Sequence, residues 1–130
     1  MKKLTLLLSL IFSISCTSES PSVFFPNLKD GQKIPSSFVM QMGVKGMKLK
    51  PAGTLEEGSG HHHLVINSNF IEKGKVVPAD EKHIHFGKAQ TEYELKLKPG
   101  KHSLTLQFAD GAHQSYGKSL SKTISVEVIQ

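Results

Sequence analysis

The chain has 130 residues, enough for one domain with a leader, and 16 basic against 11 acidic residues give it a net charge of +5. Every basic residue is a lysine, the lysines are scattered, and there is no arginine. Forked guanidinium groups dominate planar recognition of phosphate and guanine, so this composition argues against a nucleic-acid partner.

Residues 1–15 read as a secretion signal. Met1-Lys2-Lys3 is a basic start, and residues 4–14 form an almost wholly apolar run too short to span a bilayer as a mature helix. The run ends in Ser13-Ile14-Ser15-Cys16, with a small residue directly before the single cysteine. This junction resembles the bacterial lipoprotein signal, which implies cleavage before Cys16 and acylation of its thiol and new amine. Ser13 stands where that signal prefers Leu, and an ordinary signal peptide with a stray thiol is the alternative. A lipidated Cys16 leaves the folded part without a disulfide, a thiolate ligand or a cysteine nucleophile. Several acyl chains anchor firmly, so the membrane is an expected partner and the cell envelope, outside the cytoplasm, the expected location. Residues 16–22 then serve as lipid attachment and polar tether. Removal of Lys2 and Lys3 leaves 14 lysines against 11 acids, a net +3.

Residues 23–130 carry short alternating apolar runs separated by Gly, Pro, Asn and Asp, without a sustained helical period. The pattern predicts an all-β domain: an immunoglobulin-like antiparallel sandwich of about seven strands, with a small barrel as the alternative. A first edge strand is expected at residues 23–26, ended by Pro26, with a turn at Asp30-Gly31. Residues 37–45 alternate, with Phe38, Met40, Met42 and Val44 on one face. Residues 54–60 are a glycine-rich loop that leads into a strand at 61–67. Residues 82–87 alternate again. Residues 91–98 form an amphipathic strand with Tyr93, Leu95 and Leu97 inward. After the turn at Pro99-Gly100, the next strand sets His102, Leu104, Leu106 and Phe108 opposite Ser103, Thr105 and Gln107. Residues 119–128 form the last strand.

Three stretches, Gly60-His61-His62-His63-Leu64, His83-Ile84-His85-Phe86-Gly87-Lys88-Ala89-Gln90-Thr91-Glu92 and Pro99-Gly100-Lys101-His102-Ser103-Leu104, are similar to a bacterial family of secreted domains of unknown function. Gly46-Met47, Pro51-Ala52-Gly53 and residues 110–113 match its pattern more loosely. The resemblance covers nearly all of residues 23–129. It implies an extracytoplasmic β domain and no activity, substrate or cofactor.

The chemistry rests on histidine. All seven lie after residue 60. His61 with His63, and His83 with His85, are two His-x-His pairs on expected strands. Alternate strand positions lie about 6.5–7 Å apart at the backbone. Imidazoles there can converge on one ion at about 2.0–2.1 Å. If the two strands are neighbours, His61, His63, His83 and His85 can form one site for copper or zinc, with His102 or His113 as a further ligand. Asp80, Asp110, Gln90 and Glu92 are candidate acceptors for the outer ring nitrogens. Met40 and Met42 keep phase with Phe38 and Val44 and read as core, which leaves Met47 as the thioether candidate for copper. The competing reading is a structural or ligand-binding sandwich whose histidines form a hydrogen-bonded network without metal. His62, in phase with Leu64 and Ile66, and His102, in phase with Leu104, read as core or edge histidines with satisfied nitrogens. No nucleophile triad, phosphate loop or paired carboxylate is present, so no residue is assigned a catalytic role.

Overall fold

A computed structural model describes residues 11–130. Most of the expected signal segment therefore lies outside the described residues. Residues 11–21 carry neither strand nor helix, and Cys16 is exposed there.

Ten short strands follow: β1 (Ser22–Phe24), β2 (Gln32–Pro35), β3 (Ser37–Gln41), β4 (Gly43–Lys45), β5 (Lys48–Leu49), β6 (Ser59–Ile66), β7 (His83–His85), β8 (Glu92–Lys96), β9 (Gly100–Ala109) and β10 (Ser121–Ile129). One 3-10 turn, Lys118–Leu120, leads into β10, and there is no α-helix among the described residues. The expected all-β, sandwich-like architecture is what the chain forms. The strand number exceeds seven because β2 and β5 are added and the alternating run at 37–45 breaks at Met42. There the chain leaves its pairing with β8 and enters β4, paired with β1.

The main sheet runs β2-β10-β9-β6-β5, and β7 also pairs with β6. β9 takes one edge of β6, so the parallel β5 at Ser59 and Gly60 and the antiparallel β7 at residues 63–65 share the other. Against this sheet stand two two-stranded pairs, β1-β4 and β3-β8. The core between the layers holds Leu64, Phe86, Leu104, Leu106, Phe108, Ile124, Val126 and Val128 from the large sheet. Val23, Met40, Met42 and Leu95 come from the opposite layer. Tyr93 departs from expectation: it is exposed while its neighbour in phase, Leu95, is buried. Tyr93 lies opposite Met40 on β3, and its ring meets that of Phe86 edge-on with centroids 5.3 Å apart.

β6 is unusual in being buried on both faces. Its even residues face the core. Its odd residues, His61, His63 and Val65, lie beside Ala109, Gln107 and Thr105 of β9 on the outer face. Alternation would leave that face in water. Instead, segments 67–78 and 110–117 roof it. The two segments bond to each other: Val77 N donates to His113 O, Gly74 N to Ser115 O, and Ser115 N to Lys75 O. Gln107 ties the roof down. Its Oε1 accepts from Ile71 N at 3.0 Å, and its Nε2 donates to Gly117 O at 3.1 Å and Leu120 O at 3.3 Å.

A histidine cluster under the roof

Four imidazoles meet on this roofed face. Register does the first part: His63 lies directly opposite His85 across the β6-β7 ladder, and His61 is two residues back on the same face. The roof supplies the fourth, His113. Ring centroids are 4.7 Å apart for His61 and His63, 4.9 Å for His61 and His85, 5.1 Å for His63 and His85, and 4.7 Å for His85 and His113. One ring nitrogen from each of His61, His63 and His85 falls within a 4.8 Å sphere of mutual separation.

His113 is placed by its turn. Its backbone is left-handed, with φ at 64°, a region uncommon for residues other than glycine and one in which His is several-fold enriched. Asp110 holds that turn. Its Oδ1 accepts from Ala112 N and Gln114 N, both at 2.9 Å, and its carbonyl accepts from His113 N. Gly87 clears the space that His85 fills, since a Cβ there would lie 2.3 Å from Cε1 of the ring.

The nitrogen geometry is specific. Nε2 of His85 is 3.1 Å from Nε2 of His61 and also 3.1 Å from Nε2 of His113. An imidazole nitrogen offers one in-plane direction, as either one N–H or one lone pair. It cannot make two good hydrogen bonds. By contrast, nitrogens bound to one tetrahedral ion at about 2.0–2.1 Å stand about 3.3–3.4 Å apart. The observed separations are close to that edge.

Other buried polar groups nearby are satisfied. Thr105 Oγ1 meets Thr123 Oγ1 at 2.8 Å, and Ser115 Oγ donates to Ile71 O. Among the described residues, the buried side-chain atoms without a partner are all histidine nitrogens: Nδ1 of His61, Nδ1 and Nε2 of His62, and Nδ1 of His63. Burial, aided by the neighbouring rings, holds His61 at about 4 and His63 at about 3, from an ordinary 6.5. His85 is lowered for the same reason, burial first and then the charge of His113. At neutral pH these rings are uncharged, the form that binds metals.

The remaining histidines stand apart. His83 faces the same side as His85 but pairs with Val65, one step beyond the cluster. Its Nδ1 donates to Asp80 Oδ1 at 2.6 Å. His83 therefore does not meet the other rings, because a shared face on a strand is not a shared depth. His113 stands beside the cluster, its Nε2 3.1 Å from that of His85, but outside the three rings whose nitrogens all lie within 4.8 Å of one another; its local sequence carried only a loop signal. His102 is the satisfied edge histidine expected: Nε2 donates to Lys98 O at 2.8 Å, and Nδ1 accepts from Asn67 Nδ2 at 2.9 Å. His62 enters the core against Phe108, ring centroids 5.2 Å apart, but finds no polar partner. Met40 and Met42 are buried in the core and Met47 packs against it.

No curated protein and no solved structure matches the chain significantly. Residues 40–129 match the family described as Domain of unknown function (DUF4399), a span that takes in the three β6 histidines, His85, Gly87 and the His113 turn. The chain belongs to that family.

Proposed function

We propose that this domain binds a transition-metal ion, copper or zinc, through His61, His63 and His85, with His113 as the fourth ligand. The observation that carries the reading is the approach of two imidazole nitrogens to the one Nε2 of His85 at 3.1 Å each. Three ring nitrogens aimed at one small volume suit a shared cation and do not suit pairwise hydrogen bonding. The unpartnered Nδ1 atoms support it too. Each buried polar atom left unpaired costs about 1–3 kcal/mol, a cost the fold avoids at Gln107 and Thr105. Burial keeps His61 and His63 neutral at pH 7, and His85 is exposed, so an ion has a way in.

A hydrogen-bonded histidine network is the second reading, favoured by the 3.1 Å contact between His61 and His85 taken alone. Chelator-competition titration of the purified chain separates the two. His61→Ala, His63→Ala and His85→Ala should each weaken binding by at least about 10-fold, and His83→Ala should leave it unchanged. Binding no tighter than about 10 μM in the unaltered protein, about 7 kcal/mol on the affinity scale, would leave the network reading in place.

The same proposal places the domain in the cell envelope, tethered to a membrane by lipid on Cys16. The sequence of the signal supports this, as does an exposed cysteine outside every strand. Mass spectrometry of the mature N-terminus tests it: an unmodified Cys16 or cleavage elsewhere would rule the anchor out.

A further inference from the structure

The ligand set just described contains no anionic group. All four candidate ligands are imidazoles, and His61 and His63 have no solvent to speak of around them. Asp110 is the carboxylate whose field acts on His61. Its Oδ1 already serves the amides of Ala112 and Gln114. Metal-bound histidines ordinarily pass their outer N–H to a carboxylate or carbonyl, which feeds negative potential to the ion. Nδ1 of His61 and of His63 meets no such group. Apart from the field of Asp110, an ion here would meet no negative charge, and on the side of His61 and His63 it would meet no solvent.

That cost depends on the square of the charge, so burying a divalent ion costs about four times as much as burying a monovalent one of similar size. Imidazole accepts either oxidation state of copper. Building on the metal-binding reading above, we propose that the ion this site selects is monovalent copper, in preference to zinc or divalent copper. The selectivity arises from missing negative charge and not from sulfur, since the three methionines of the folded region belong to the core or its edge.

The purified full-length chain in detergent, held without oxygen, is titrated with Cu(I) against a chromophoric chelator, then with Zn(II) and with Cu(II) against theirs. The expected result is one Cu(I) per chain, bound at least about 100-fold more tightly than Zn(II). Zn(II) or Cu(II) bound as tightly as Cu(I) overturns the charge argument while leaving metal binding intact. No ion bound overturns both readings. His113→Asp tests the cause directly, because it substitutes an anionic ligand at a left-handed position that Asp tolerates. It should narrow the preference for Cu(I) over Zn(II) by about 10-fold or more. An unchanged ratio in a chain that still binds both ions would also overturn the proposal.

Discussion

Replacing Gly87 by alanine tests the cluster through a residue that cannot itself be a ligand. A Cβ on Gly87 would lie 2.3 Å from Cε1 and 2.7 Å from Nε2 of His85, with Nδ1 at 3.2 Å. Carbon contacts are comfortable at about 3.5–4.0 Å, so the ring must retreat by about 1 Å. The backbone at Gly87 lies outside the left-handed region, and alanine adds no strain there. His85 sits on the short strand β7 and is exposed. Its ring can swing toward solvent at a cost to folding of about 1 kcal/mol, the low end for overpacking. Coordination is less forgiving, since ligand distances hold within about 0.2 Å. A 1 Å retreat therefore removes His85 from the shared point. Gly87→Ala should weaken metal binding by about 10–100-fold, as loss of an orienting neighbour does, while lowering the melting temperature by about 4–8 °C. Chelator competition and thermal melts, run beside His85→Ala, give both numbers. Unaltered affinity in Gly87→Ala beside a loss in His85→Ala would refute this steric reasoning. A melting temperature lower by more than about 15 °C would refute it too, by making Gly87 a support of the fold.

Two further outcomes follow from the buried rings. Folding holds His61 and His62 at about 4 and His63 at about 3, below the ordinary 6.5 of an unfolded chain. The unfolded state therefore takes up protons first as the pH falls, and stability falls with it from pH 6.5 down through the folded values. Each unit of difference is worth about 1.4 kcal/mol, so metal-free protein should lose several kcal/mol by pH 4, most of a typical margin of about 5–15 kcal/mol. Urea midpoints that stay level between pH 7 and pH 4.5 would contradict this. His62→Leu should act in the opposite direction. It removes two unpaired buried nitrogens and keeps an apolar group against Phe108, so stability should rise by about 1–3 kcal/mol. Metal affinity should not change, because His62 faces the core. A drop in the denaturation midpoint would show that His62 is held by a polar contact after all.

How far the sequence can be read differs from element to element. Alternation at 100–109 and 121–129 located β9 and β10 directly, because a period of two survives wherever one face is apolar. It also divided the triple histidine correctly, with His61 and His63 on one side and His62 with the core. It said nothing of β2 at Gln32–Pro35, too short and polar to stand out, whose strand conformation is set by pairing with β10. It gave no sign that the outer face of β9 is covered, where Thr105 and Gln107 are fully buried. Their burial comes from the roof, made of segments with no period of their own. His113 was ambiguous for the same reason. Its position depends on a turn held by Asp110 and on pairing between two loops distant in sequence, and neither leaves a local pattern. The register that separates His83 from the cluster is likewise a property of the β6-β7 ladder.

The roof over β6 gives the cluster a mechanical meaning. His61 and His63 belong to the floor, His85 to the wall and His113 to the lid. The one cysteine lies outside the strands, so the folded region has no covalent crosslink to lean on. An ion held by these rings would staple three segments remote in sequence, closing long loops as a disulfide does. Unlike a disulfide, that staple could be fitted and withdrawn without any change of bond between sulfurs, so the rigidity of the lid would report directly on the supply of metal around the protein.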